Sequence, residues 1–263
     1  MWPEIQGIVA VPQGSLDKRP WKDLPPQQGV VEEQFIFQAY LGESIAPFRV
    51  LDTVNAVIPF DHNRLMSGDD LALDRYPGLA TWWRQAEAVW SANRTSEKRT
   101  LLDQLDYMHQ LTSQRHAHVW RVVYTKAGAN LAAAVVKDPV GVIDHLLYWT
   151  DVDTRGEALY LVGVLNAPTI TDLVRPFQAE GGFGPRHFDK YVWLAPIPIY
   201  NPDDDRHKMI VKLAMQAEDV AQSVDLPSGM RFQAARSIIR NELKQCGLMD
   251  KLNDAVSGLI LPR

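Results

Sequence analysis

The apolar run Ala158 to Leu165, cut off by Asn166-Ala167-Pro168, constrains this chain most. Pro168 biases Ala167 away from helix, so the run must stop there. Thr169 and Thr171 then cap a new helix that carries Ile170, Leu173, Val174 and Phe177 at helical spacing. Gly181-Gly182-Phe183-Gly184-Pro185 breaks the chain again. A dense polar-aromatic patch follows, Arg186-His187-Phe188-Asp189-Lys190-Tyr191-Val192-Trp193. Pro196 and Pro198 make the closing segment extended, because proline is excluded from helix interiors.

Elsewhere the pattern is mixed. Ile5 to Val11 reads as a short strand, and Gln13 to Gln28 as a Pro- and Gly-rich connector in which Trp21 packs on something. Glu32 to Leu41 reads as a helix ended by Gly42, and Phe48 to Phe60 as β-rich. Asp61 to Asp74 is polar and looped. Tyr76-Pro77-Gly78 opens a long helix, Pro77 suiting its first turn. Leu79, Trp82, Trp83, Ala86, Val89 and Trp90 keep helical spacing along it, so these tryptophans read as core and not as base-stacking platforms. Ser96 to His109 is helical or mixed. Val119 to Tyr124 and Leu131 to Val136 flank a turn and predict a hairpin, and Val142 to Trp149 predicts one further strand. Two or three helices close the chain, two of them amphipathic over Asp204 to Val224 and Met230 to Cys246, with Gly247 ending the latter. These readings predict an α+β fold, a mixed sheet with packed helices followed by a C-terminal helical tail.

At 263 residues the chain is long enough for one large domain or two small ones. No apolar run approaches the roughly 20 residues of a membrane helix, and the N-terminus lacks a secretory pattern, so no membrane association is expected. The single cysteine, Cys246, excludes an internal disulfide framework and a thiolate zinc site, which fits a bacterial cytoplasmic setting. On its amphipathic helix Cys246 reads as core. The net charge of −5 argues against a uniformly basic nucleic-acid binder. The charge is uneven, however. Gln114 to Lys137 carries Arg115, Arg121, Lys126, Lys137, His116 and His118 and no acid. A local basic face of that kind grips phosphates on an otherwise acidic molecule.

Catalytic motifs are missing. No nucleophile elbow or triad stands out, and the glycines at 181–184 follow a helix, the wrong context for a dinucleotide fingerprint. Asn201-Pro202-Asp203-Asp204-Asp205 with His207 reads as a turn and an acidic helix start in preference to a metal site. Two basic segments remain. The first supplies Arg115, His118, Arg121 and Lys126, which suit phosphates or guanine edges, though Arg115 and Arg121 read equally well as solvated surface charges. The second supplies Arg186, His187 and Lys190 behind a glycine loop that lets backbone approach DNA closely. In the competing reading Asp189 pairs with Arg186 or Lys190, and Phe188 and Trp193 anchor the loop to the core.

The segments YLVGVLNAPTITDLVRPF and RHFDKYVWLAPIPIYNPDDDRHKMI resemble the C-terminal part of bacterial N6-adenine DNA methyltransferases of restriction-modification and phage-defence systems, including fused methyltransferase-endonucleases. Lys18 to Pro25, Leu41 to Ile45 and Tyr76 to Leu79 extend the likeness over nearly the whole chain. The resemblance implies an N-terminal strand and connector over 1–28, a target-recognition-like α+β domain over 29–200 and a helical region over 201–263. It implies binding of duplex DNA through Arg115, His118, Arg121, Lys126, Arg186, His187 and Lys190. The family's Asn/Asp-Pro-Pro-Tyr/Phe tetrapeptide and a cofactor loop are both missing here. The expected role is therefore sequence recognition without methyl transfer, with S-adenosylmethionine held by a partner methyltransferase or methyltransferase-nuclease chain. The alternatives are a protein-binding scaffold subunit and a truncated remnant of such an enzyme.

Overall fold

The computed structural model describes residues 8–10, 19–116, 119–178 and 187–261. In chain order the strands are β1 (Ile8–Ala10), β2 (Gln28–Val30), β3 (Ile36–Tyr40), β4 (Ile45–Ala46), β5 (Arg49–Val50), β6 (Val54–Val57), β7 (Phe60–Asp61), β8 (Arg64–Leu65), β9 (Trp120–Thr125), β10 (Ala133–Val136), β11 (Val142–Ile143) and β12 (Leu147–Val152). The α-helices are α1 (Pro77–Asn93), α2 (Leu101–Leu105), α3 (Arg155–Asn166), α4 (Pro168–Val174), α5 (Asp205–Ser223), α6 (Phe232–Gln245) and α7 (Leu248–Ile260). The class is α+β: short antiparallel ladders with helices packed against them.

Contacts divide the chain into two units. One is drawn from Met1–Ala39, Val54–His116 and Val140–Val142, the other from Tyr40–Thr53, Ala117–Pro139 and Ile143–Arg263. These limits do not follow the expected boundaries after residues 28 and 200. The chain passes between the units several times, and the C-terminal helices share a core with β9, β10 and α3.

In the first unit α1 begins at Pro77, as its fixed φ favours. Leu79, Trp82 and Trp83 point inward onto Val31, Phe35, Met66 and Leu73. The N-terminus of α1 is capped from outside the helix. The buried Glu32 carboxylate accepts from the backbone N–H of Gly78 at 3.0 Å and of Leu79 at 2.8 Å, two donors no helical carbonyl can reach. Trp21 stacks on Trp90 with ring centroids 5.0 Å apart. The segment expected to be a helix, Glu32 to Leu41, is instead a 3-10 turn (Glu33–Phe35) leading into β3. Phe37 and Ala39 are buried on either side of exposed Gln38, and β3 pairs with β6, Ile36 opposite Val57 and Ala39 opposite Val54. Pairing with a later strand has overridden local spacing.

In the second unit β9 is the middle strand of the order β10-β9-β12. Val122 and Tyr124 face one apolar layer with α3, α5 and α7, while Val123 faces another with Tyr40, Ile45 and Leu147. A strand buried on both faces reads as a continuous apolar run, as this one does. The single strand expected over Val142 to Trp149 is divided into β11 and β12 by Asp144, whose carboxylate accepts from Leu146 N and whose carbonyl accepts from Leu147 N.

Helix α3 is buried nearly all round, and Gly163 lets α5 approach: a Cβ there would lie 2.9 Å from Ile210 Cγ2. The helix ends at Asn166, and α4 starts at once with Pro168 in its first turn. Thr169 and Thr171 do not cap α4; its N-cap is Ala167. Thr169 bonds Asn253 and Ser257 of α7, and Thr171 accepts from Leu131 N. The apolar stripes of α5, α6 and α7, including Ile210, Ala217, Ile239, Leu243, Leu252 and Val256, are buried in this same core. Cys246 lies outside that stripe and is exposed, which corrects its reading as core.

Candidate nucleic-acid interface

Lys126 follows directly on β9, and two backbone contacts tie it to the segment after the glycine loop. Its carbonyl accepts from Phe188 N at 2.8 Å, and Ala127 forms an antiparallel bridge with His187. Phe188 is fully buried and fixes this junction to the core. Asp189 then takes a left-handed φ of 42°, which Asp tolerates better than most residues, and opens the 3-10 helix Asp189–Leu194.

A phenol network supports the junction. Tyr124 Oη donates to the Asp189 carbonyl at 3.2 Å, and Tyr148 Oη donates to Asp189 Oδ1 at 3.3 Å. The two rings stack with centroids 5.4 Å apart. Burial, reinforced by the neighbouring Asp189, pushes both phenols above the ordinary tyrosine range, so they are neutral donors at physiological pH. Lys126 Nζ lies 5.5 Å above the Tyr148 ring and 4.0 Å from Asp189 Oδ1. Asp189 thus pairs with Lys126, a partner the competing reading does not name. Lys190 and His187 are exposed beside it. Trp193 packs edge-on to Tyr124 yet keeps 45% of its surface open, so it anchors the helix on one edge only.

The remaining expected residues fare differently. Arg121 has 0% exposure and cannot reach a phosphate, which removes it from the proposed surface. Both faces of β9 are covered, so a side chain in mid-strand has no route to solvent. Its guanidinium donates to the Asp138 carbonyl and sits 5.9 Å from the Trp149 ring. Burial lowers its pKa, against the opposing pull of Asp138, Tyr40 and Asp151. Arg115 is half-buried in the first unit, its guanidinium 4.8 Å from the Phe60 ring and 5.5 Å from Phe37. The acid-free stretch therefore divides between the units at His116. His118 and Arg186 lie outside the described residues, as do the glycines at 181–184. Sequence reasoning singled out Lys126, His187 and Lys190 but missed Tyr124 and Tyr148, whose apolar strand context conceals their hydroxyls.

The acidic turn before α5 is built as a cap. Asp204 accepts from Arg206 N at 2.8 Å and pairs with the Arg206 guanidinium, which holds its carboxyl well below the usual range. His207 is buried against Tyr160, and its Nδ1 accepts from Asn201 N at 2.9 Å. Among the described residues no group of three or more His, Cys, Asp or Glu could hold a metal ion. Nor is any helix among them long and apolar enough to cross a membrane. No protein-family model matches the chain, and no curated protein matches it.

Proposed function

We propose that this protein is a duplex-DNA recognition module of an adenine-N6 methyltransferase system, acting without a methyl-transfer site of its own. The observation that carries the reading is the junction of Lys126–Ala127 with His187–Phe188. It joins the basic strand end to the polar-aromatic patch, segments about sixty residues apart, and presents Lys126, His187 and Lys190 in one neighbourhood of the second unit. Lysines of this kind neutralise phosphates and set register, and the adjacent imidazole is suited to a base edge. The resemblance to the recognition region of the methyltransferases supplies the enzyme class. A partner chain would carry S-adenosylmethionine and the adenine pocket. The C-terminal helices bury their stripes in their own unit, so they offer the scaffold reading no uncovered apolar stripe.

Selection from a random duplex pool tests the reading. The chain, alone or with its cognate methyltransferase, should enrich a common sequence, and the variant with both Lys126→Ala and Lys190→Ala should enrich it less. A pool that stays random with wild-type protein under both conditions overturns the proposal.

A further inference from the structure

We infer that the first unit holds a separate nucleotide-binding cleft, formed by Trp21, Trp90 and the loop Arg94 to Arg99. The cleft has a volume of about 370 Å³, a size that suits one nucleotide. Among the described residues its lining includes Arg94, Lys98 and Arg99 and no acidic side chain, in a chain whose net charge is −5. The indoles of Trp21 and Trp90, stacked on each other and inclined by only 14°, also line it. Cations in a recess concentrate an anion, and an indole face takes a planar base of any kind.

The loop is held in shape before any ligand arrives. Arg94 Nη1 donates to the Arg99 carbonyl at 2.9 Å, and Trp90 Nε1 donates to the same carbonyl at 3.3 Å. Thr100 and Asp103 close a reciprocal cap just beyond it, Thr100 N to Asp103 Oδ2 at 2.9 Å and Asp103 N to Thr100 Oγ1 at 3.1 Å. That cap engages Asp103 Oδ2. The Arg99 guanidinium rests 4.5 Å above the Tyr107 ring. Among the described residues the Lys98 ammonium has no ion pair, and it is exposed. Arg94 Nη1 and Trp90 Nε1 thus serve the loop, and Arg99 Nη1 reaches Gln104 Oε1 at 3.5 Å, which leaves Lys98 and the other Arg99 donors to meet a phosphate. The ligand class is a nucleotide, base against indole and phosphate against Lys98 and Arg99. It is either a free nucleoside phosphate or a nucleotide of a single strand.

This inference does not rest on the duplex reading, because the cleft and the Lys126 junction belong to different units. Titrate the full chain with adenosine monophosphate, adenosine, inorganic phosphate and a short single-stranded deoxyoligonucleotide, following tryptophan fluorescence and calorimetric heat. Adenosine monophosphate, the oligonucleotide or both should bind saturably, and adenosine and inorganic phosphate should bind at least about tenfold more weakly. Saturation by the mononucleotide identifies a free-nucleotide site; saturation by the oligonucleotide alone identifies a strand site. Lys98→Ala and Arg99→Ala are surface changes that should each weaken binding about tenfold, and Lys126→Ala should leave it unchanged. Trp90→Phe should reduce the fluorescence response. If neither nucleotide ligand saturates at millimolar concentration, or if Lys98→Ala and Arg99→Ala bind like wild type, the cleft is not a nucleotide site.

Discussion

Asn166 is the residue whose replacement tests the second unit most sharply. Strand β10 is an edge strand, and Ala133 stands opposite Tyr124 in the ladder. The flanking pair is hydrogen-bonded, Thr125 N to Ala132 O at 3.0 Å, so the N–H and C=O of Ala133 face away from β9. Asn166, with 6% exposure, takes the place of a missing strand there. Its Oδ1 accepts from Ala133 N at 3.0 Å, and its Nδ2 donates to Ala133 O at 2.9 Å and to Val162 O at 3.0 Å. In Asn166→Leu the two carbonyls keep other partners: Ala133 O still accepts from Phe48 N, and Val162 O still accepts within α3. Ala133 N–H is left with none. One orphaned buried donor costs about 1–3 kcal/mol, and the lost bonds add about 0.5–1.5 kcal/mol each. Leucine returns part of this through burial, so the expected loss is about 2–4 kcal/mol. Asn166→Asp should behave differently. Its carboxylate serves Ala133 N but faces two carbonyl oxygens, which raises its folded pKa. A raised acid stabilises only while protonated, so this variant should be closest to wild type at low pH and lose ground as pH rises through that value. Urea unfolding gives the stabilities, and amide exchange at Ala133 reports the edge itself. A leucine variant within about 0.5 kcal/mol of wild type, with Ala133 still protected, would refute the bridging role.

Other outcomes follow from buried polar groups. Glu32→Ala should destabilise the first unit by about 3–5 kcal/mol, since two charge-assisted bonds to the start of α1 are lost together, and chemical denaturation with a helix-sensitive signal checks this. Glu32→Gln keeps one acceptor and should cost less than the alanine variant. The Tyr40 phenol, desolvated by burial and donating to Asp138 Oδ2 at 3.0 Å, is pushed up to about 12. Its contribution to stability is therefore complete below the ordinary tyrosine pKa and is lost as pH rises through about 12, and phenolate absorbance should show Tyr40 and Tyr160 ionising late in that window.

The legible parts of the fold were those whose signals are local. The two apolar runs Val119 to Tyr124 and Leu131 to Val136 around a turn gave the β9–β10 hairpin, Pro77 gave the start of α1, and Asn166-Ala167-Pro168 gave the break between α3 and α4. The spacing of Phe35, Ile36, Ala39 and Tyr40 also fits a helix, and only the later partner β6 makes it a strand. Arg121 misled for the same reason. As a charge in sequence it looks exposed, and its burial follows from layers supplied by distant segments. Lys126 and His187 were found separately by charge and composition, but their junction depends on a bridge that no spacing rule encodes. The cleft cations Lys98 and Arg99 were passed over within the mixed stretch Ser96 to His109, and Arg94 just before it, although three cations against one acid within Arg94 to Arg99 is a readable signal.

The central claim is that exposed lysine beside the Lys126–His187 junction meets duplex phosphate. Its most direct test is duplex anisotropy across a salt series for wild type and Lys190→Ala, each alone and with the methyltransferase proposed as its partner. The account predicts salt-sensitive wild-type binding, weaker binding by the variant on all sequences, and a salt slope lower by about one unit. Wild-type binding with an unchanged affinity and slope in Lys190→Ala, or no duplex binding by wild type under either condition, would contradict it.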